Sequence, residues 1–500
     1  MHRLTLVSFF AVASIVWFAV AGQTHAAQPA VAAGADKRPN ILFALADDWA
    51  WPHAKEYGDK LVGLPTFDRV AREGLVFNYA YVAAPTCTGS RAGILTGQDV
   101  HRLGDGANLN AALPGRFPVY PDLLEASGYV VGYTRKGWGP GGVGRERKRN
   151  PAGPEFANFA EFFKTVPKGK PFCFWFGSHD PHRQYRKDSG VDSGMNPANV
   201  AVPAFLPDTL AVRKDLLDYY FAVQRYDRDT GEIIKLIEDA GQLDNTMVVM
   251  SGDNGIPFPR AKATLYDAGT HAPLAVRWPE KVPGGRVVDD FVSLIDLAPT
   301  FVGAAGLAPP AEMTGRSFLD VLVSGKSGRV DPRRDYVVTE RERHVPCREG
   351  DKSYPIRALR TYQFLYIRNF RPELCPSGDE VHIDNVMGAF GDVDNGPSKF
   401  EILARRNEPA IAPFFQAAFG KRPAEELYEV PRDPGQMHNL AGNAEYAEVL
   451  KKLRGQLDRW MVERKDPRAK GETDLWDKPA RHDQANPKAK PRQRRKSQVS

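Results

Sequence analysis

The chain has 500 residues, of which 42% are hydrophobic and 26% charged, an ordinary globular composition with room for two domains. Its formal charge of +6 matches the six cations Lys488, Lys490, Arg492, Arg494, Arg495 and Lys496, which follow the last acid, Asp483. The rest of the chain is therefore neutral overall, with no nucleic-acid motif, and four cysteines are too few for a disulfide scaffold at this length.

The N-terminus reads as a secretion signal. Arg3 precedes the apolar stretch Leu4 to Ala21, and the small residues Ala26 and Ala27 offer a cleavage site. Residues 1–26 are expected to be a signal peptide and 27–37 a linker. No later segment is apolar enough to span a bilayer. The expectation is an exported protein (periplasmic, extracellular or lumenal) with no stable membrane insertion after cleavage.

An α/β domain is expected over 38–327. Four short apolar runs read as strands buried on both faces, and each leads straight into polar residues. Asn40–Ala46 ends in Asp47-Asp48, and Tyr129–Tyr133 ends in Thr134-Arg135-Lys136. Phe172–Phe176 ends in Gly177-Ser178-His179-Asp180-Pro181-His182, and Thr246–Met250 in Ser251-Gly252-Asp253-Asn254-Gly255. Helix-like segments lie between them. The clearest runs from Thr209 to Ala240, with Pro207-Asp208 before it and Gly241 after it. Strand–helix alternation argues α/β, where sites lie beyond the carboxyl ends of the strands.

A smaller region, 328–465, follows. Tyr336–Thr339 and Tyr362–Ile367 read as strands of a partly exposed antiparallel sheet, and a helix is expected from about Ala444 to Glu463. Residues 466–500 are polar, basic and Pro-rich, and read as a disordered tail.

The chemistry centres on Cys87-Thr88-Gly89-Ser90-Arg91. A helix starting at Cys87 would carry Arg91 on the same face, next to the N–H groups of the helix start. Asp47, Asp48, Asp253 and Asn254 are hard oxygen groups at two strand ends. They suit Ca²⁺ or Mg²⁺ rather than zinc; helix caps are the plainer alternative. Lys136, Lys262 and Arg91 supply charge to hold an anion. His179 is a candidate general acid, while His182 would face substrate or support a loop. Arg357 and Arg360, three apart, would face opposite sides of a strand, with one reaching a substrate carboxylate or both solvent-exposed. Cys173 reads as inert core, and Cys347 with Cys375 leaves pairing open. Trp49, Trp51 and Trp138 read as packing, and His101 and His271 as structural.

In this order the motifs resemble the sulfatase family of the alkaline-phosphatase-like superfamily, over most of residues 38–465. The Cys87–Gly97 run resembles its signature. Arg38-Pro39-Asn40 through Asp47-Asp48 and Ser251–Gly255 resemble its two metal motifs. Glu426–Glu429 with Asp433-Pro434-Gly435 and Asn439-Leu440 resembles its C-terminal landmark. The resemblance implies a mixed, mostly parallel sheet flanked by helices, with a smaller C-terminal α+β subdomain carrying an antiparallel sheet. It also implies a sulfated glycan substrate, Ca²⁺, and oxidation of Cys87 to formylglycine by a maturation enzyme. Hydrated, that aldehyde would attack sulfur. Asp47, Asp48, Asp253 and Asn254, with residue 87 itself, would ligate the metal. Arg91 would steady the nucleophile, Lys136 and Lys262 would bind sulfate, and His179 would protonate the leaving group. A homodimer is compatible with it.

His179-Asp180-Pro181-His182-Arg183, Asp253–Pro259 and Ser353–Arg357 are similar to the branch that removes sulfate from the amine of N-sulfoglucosamine. On that reading His182, Lys262 and Arg357 would bind substrate. Departures from the pattern are Gly89 where the family usually has Pro, Trp138 where it often has His, and Lys262 where this branch uses Arg. The alternatives are an O-sulfatase on another polysaccharide, a phosphoryl-transfer enzyme, which the scarcity of His disfavours, and a non-catalytic glycan-binding protein.

Overall fold

The computed structural model describes residues 38–144, 146–381, 388–471 and 474–477. The expected signal peptide and linker lie outside the described residues, as does the tail beyond 477.

The first sheet has eight strands: β1 (Asn40–Ala46), β2 (Leu75–Tyr81), β3 (Val130–Arg135), β4 (Phe172–Gly177), β5 (Thr246–Gly252), β6 (His271–Ala272), β7 (Leu274–Arg277) and β8 (Arg286–Ser293). Its order is β3-β4-β1-β5-β7-β2-β6, with β8 on β2. The four apolar runs are β3, β4, β1 and β5, and they form one contiguous parallel block. β7 runs antiparallel to both β5 and β2, so the sheet is mixed but mostly parallel. Every residue of β1 is buried. Leu42, Ala44 and Ala46 enter one core layer, while Ile41, Phe43 and Leu45 enter the other. Two-sided burial is why the run shows no polar alternation.

Helices cover both faces. Leu210–Asp239 lies on the first face, close to its expected limits. Thr209 caps it by accepting from the Val212 N–H at 3.3 Å. Gly241, at φ +68°, takes the left-handed turn that ends it. Cys87–Thr96, Tyr120–Ala126 and Leu297–Ala304 cover the other face.

A second sheet, β9 (Tyr336–Arg341), β10 (Ile356–Thr361), β11 (Phe364–Asn369) and β12 (Glu425–Glu429), is antiparallel in the order β12-β11-β10-β9. Its exposure differs from expectation, because both faces are covered. Leu359, Tyr366 and Leu427 pack under the helix Ala447–Glu463, through Leu450, Leu453, Leu457 and Trp460. Ile356, Ala358, Leu365 and Ile367 pack on Leu265 and Tyr266 of the first region. The tail boundary also moves. Asp466 and Arg468 are buried and Trp476 is only 2% exposed, so part of the expected disordered tail is folded onto the body. Three fixed anchors, two of them charged, override its polar composition. Cys347 and Cys375 are unpaired thiols.

Candidate active site

β1, β3, β4 and β5 end on the same edge of the sheet, so the polar residues after each converge. Cys87 opens its helix just after Thr86, which is extended at φ −152°. The whole first turn is buried, with Cys87 2% exposed. A Cβ at Gly89 would lie 3.1 Å from both the Ala107 carbonyl oxygen and the Thr86 methyl. A bare Cα therefore lets the 100–107 segment close over the helix start, a packing reason for Gly at this departure from the family pattern.

Cys87 Sγ donates to Asp47 Oδ1 at 3.4 Å and accepts from Asn254 Nδ2 at 3.6 Å. Lys136 Nζ grips both Asp47 oxygens, at 2.5 and 2.6 Å. Arg91 Nε donates to Asp253 Oδ2 at 2.7 Å, and its Nη1 to the carbonyls of Lys136 and Gly137. Lys262 Nζ donates to Asp48 Oδ1 at 2.5 Å. Asp48 stands at φ +77°, and its N–H donates to Asp253 Oδ1 at 3.0 Å. Asp tolerates that left-handed backbone better than most residues do.

The electrostatics are those of a dry, crowded charge cluster. Burial pushes the Cys87 thiol well above its usual range, and Asp47 and Asp253 add to the effect against Lys136. A plain thiolate is thus disfavoured here, which makes unmodified Cys87 a poor nucleophile. Burial alone would raise Asp47, but Lys136, His182, Arg91 and Lys262 hold it well below the usual carboxylate range. Burial pushes Asp48 up to about 6, because Lys262 and His182 offset only part of it. Lys262 stays charged, since Asp48 and Asp394 outweigh its burial.

The residues fit a hard divalent cation. Ligand atoms of Asp47, Asp48, Cys87 and Asp253 all lie within 4.8 Å of one another. Asp48 Oδ2 and Asn254 Oδ1 are buried and accept no hydrogen bond, which leaves oxygen ligands open for such an ion. Arg91 Nη2 is likewise buried and donates to nothing.

His179 is exposed at the rim, and burial with Lys136 and Arg91 nearby lowers its pKa against the pull of Asp47. His182 is half-exposed, with Nε2 3.9 Å from Asp48 Oδ2. Its pKa is raised, because Asp48 and Asp47 outweigh burial. Cys87, Arg91, Lys136, Lys262, His179, His182, Asp47, Asp48, Asp253 and Asn254 therefore assemble as one cluster.

Arg357 does not join them, and its assignment to substrate is corrected. It is fully buried under the second sheet, where Nε meets Asp466 Oδ2 at 2.6 Å and Nη2 meets Glu342 Oε1 at 2.7 Å. Arg360 faces the opposite way, onto Asp267. Trp49 and Trp138 are core, while Trp51 stacks on His271. Cys173 is buried, with a thiol raised by burial.

Two residues of the second region enter the site without a motif to announce them. Asp394 Oδ2 lies 3.5 Å from Lys262 Nζ, and His344 Nδ1 lies 2.7 Å from Thr86 Oγ1. The acidic, Gly-bounded run Gly391-Asp392-Val393-Asp394-Asn395-Gly396 was the one available signal for Asp394.

The model of the family described as Sulfatase matches residues 39–143 and 153–307, just over half of the chain. The chain is 28% identical over 486 residues to N-sulphoglucosamine sulphohydrolase of Homo sapiens, across 86% of this chain and 91% of that protein. It is 27% identical over 474 residues to an ulvan-active sulfatase of Formosa agariphila, across 85% of this chain and 75% of that protein. The solved structure of BT4656 in complex with its substrate D-glucosamine-2-N,6-O-disulfate superposes with a TM-score of 0.64 at 19% identity, across 87% of this chain and all of that one.

Proposed function

This chain belongs to the sulfatase family, and from that premise we propose that it removes sulfate from a sulfated glycan, with the N-sulfate of N-sulfoglucosamine as its preferred target. The observation that carries the reaction class is Cys87 at a buried helix start, facing Asp47, Asp253 and Asn254 between Lys136, Lys262 and Arg91. The finer substrate reading rests on likeness to the human N-sulphoglucosamine sulphohydrolase over nearly the whole length of both chains. Other relatives carry other specificities, so an O-sulfated glycan is the second reading.

Oxidised to formylglycine, residue 87 would supply as its hydrate one hydroxyl to attack sulfur and a second to release the sulfate. Asp47, Asp48, Asp253 and Asn254 would hold Ca²⁺, which would neutralise charge and polarise sulfate oxygens. The protein's own groups do the rest. The ammonium groups of Lys136 and Lys262 donate to sulfate oxygens, and Arg91 Nη2, which makes no hydrogen bond within the protein, donates to the nucleophilic oxygen. His179, at the open rim, hands a proton to the departing amine, and His182 orients the sugar. The burial of Asp47, Asp48 and Asp253 excludes water and strengthens each of these contacts. The N-terminal signal would deliver the protein to an exported compartment where such glycans occur.

The test uses the full chain produced with a formylglycine-generating enzyme and assayed with Ca²⁺. Sulfate release should be at least tenfold more efficient in kcat/KM from N-sulfoglucosamine than from 6-O-sulfated N-acetylglucosamine. The reverse ratio would install the O-sulfatase reading. The mass of the tryptic segment Glu73 to Arg91 should show aldehyde in place of thiol; an intact thiol would leave a glycan-binding protein.

A further inference from the structure

Asp394 is a buried carboxylate, 8% exposed, on a loop that the reaction above does not use. Its Oδ2 accepts no hydrogen bond. It stands with Asp48 and His182, the three offering ligand atoms within 4.8 Å of one another. A second cation is not what this group awaits. Lys262 Nζ already lies among them, 2.5 Å from Asp48 Oδ1 and 3.5 Å from Asp394 Oδ2.

The loop is built to hold Asp394 still. Asp392 accepts from Arg341, from Arg348 at 2.6 Å and from the Val345 N–H at 3.0 Å. The buried Lys399 donates to the Phe390 and Val393 carbonyls and to Asn395 Oδ1. Asp215 accepts from Arg183 and from Ser398, which ties the loop to the chain beside His182. Residues on either side are thus engaged, while Asp394 Oδ2 faces the Lys262 ammonium at 3.5 Å and accepts no hydrogen bond. A buried carboxylate oxygen without a donor is costly unless a ligand supplies one.

Taking the sulfated-sugar reading above as given, we propose that Asp394 is a specificity-determining residue. Its carboxylate accepts a hydrogen bond from the sugar hydroxyl next to the sulfated position, which is the 3-hydroxyl of N-sulfoglucosamine. Lys262 fixes the geometry: a sulfate gripped by its ammonium brings the neighbouring ring substituent within reach of Asp394. The same carboxylate, beside Asp48, repels a second sulfate at that neighbouring position. Selection is therefore for a donor and against an anion.

The experiment is a variant–analogue cycle on the matured, Ca²⁺-loaded full chain. Wild type, Asp394→Ala and Asp394→Asn are assayed on N-sulfoglucosamine, its 3-deoxy analogue and its 3-O-sulfated form, with an aryl sulfate as a sugar-free reference. Circular dichroism and melting check the fold of each variant. Wild type should prefer the 3-hydroxyl by about 100-fold or more in kcat/KM, since a site built around a hydroxyl rejects its absence strongly. Asp394→Ala should erase that preference and raise relative turnover of the 3-O-sulfated form, while Asp394→Asn, which keeps an acceptor, should retain part of the preference. An unchanged preference in Asp394→Ala, or an equal loss on sugar and aryl sulfate alike, would reduce Asp394 to a support for Lys262 and overturn the proposal. If wild type hydrolyses the aryl sulfate and a different sulfated sugar only, the substrate reading fails. The cycle is then decided with that sugar and its neighbouring deoxy analogue. No hydrolysis of any sulfate would remove both readings.

Discussion

Two buried charge clusters in this molecule differ in what they leave over. At the ends of β1 and β5, Asp47, Asp48, Asp253, Arg91, Lys136 and Lys262 pair tightly, yet Asp48 Oδ2, Asn254 Oδ1 and Arg91 Nη2 make no hydrogen bond. Beneath the second sheet, Arg357, Arg468 and His101 face Glu340, Glu342 and Asp466. None of the side-chain atoms in that second set is among the buried groups lacking a partner. Burial and charge are alike in both. Unused hydrogen-bonding capacity, with exposed His179 at the rim, marks the first as a place for a ligand. Complete pairing marks the second as a staple that fastens the C-terminal segment to the sheet.

The sharpest way to break this contrast is at Cys87. Cys87→Ser should lower steady-state sulfate release by about 10⁶-fold, comparable to losing an enzyme's nucleophile, with the melting temperature nearly unchanged. A serine lacks the second hydroxyl needed for release, so the sulfate would stay on it as an ester, and a single burst of the leaving amine or alcohol followed by arrest is the expected time course.

The staple should respond in the opposite sense. Arg357→Ala strands Asp466 and Glu342, and should cost about 3–5 kcal/mol of stability in denaturant unfolding. The kcat/KM of the folded fraction should stay within a factor of two. A selective rise in KM would instead restore Arg357 to the substrate site.

His101 offers a pH test of the same staple. Burial opposes its charge, but Glu340, with Asp466, raises its pKa to about 9 from the ordinary 6.5. A folded pKa above the unfolded one gives stability that is complete below about pH 6.5 and lost as pH rises through 9. Wild type should therefore lose about 3 kcal/mol of unfolding free energy across that window. His101→Gln should flatten the curve.

Divalent cations should distinguish the clusters once more. Chelator treatment followed by Ca²⁺ should raise the unfolding free energy by about 2.7 kcal/mol at a hundredfold excess over Kd. Asp48→Asn should abolish that gain, while Glu342→Gln should leave it intact. Smallest is the cap of the long helix: Thr209→Ala should cost about 1 kcal/mol, with no effect on either cluster.

Much of this organisation was legible in the chain itself. Apolar runs too short for helices, rich in β-branched and aromatic residues and bounded by polar ones, read as strands buried on both faces, so β1, β3, β4 and β5 were marked out, as were the polar residues at their ends. Thr209 and Gly241 bounded the long helix because capping and left-handed turns depend on local chemistry. What stayed hidden was β12, whose Glu residues disguise a strand that other elements cover. Arg357 belongs to the same class. Spacing tells which face of a strand an arginine takes, but not whether Asp466, more than a hundred residues on, will be folded over it. Asp394 is the converse case, an unremarkable loop acid that becomes part of the site because Asp392 and Lys399 clamp its neighbours. Local pattern thus determined which side chains could do chemistry. Long-range packing decided which of them keep an unspent hydrogen bond, because burial and pairing depend on the three-dimensional neighbours rather than on the sequence around each residue.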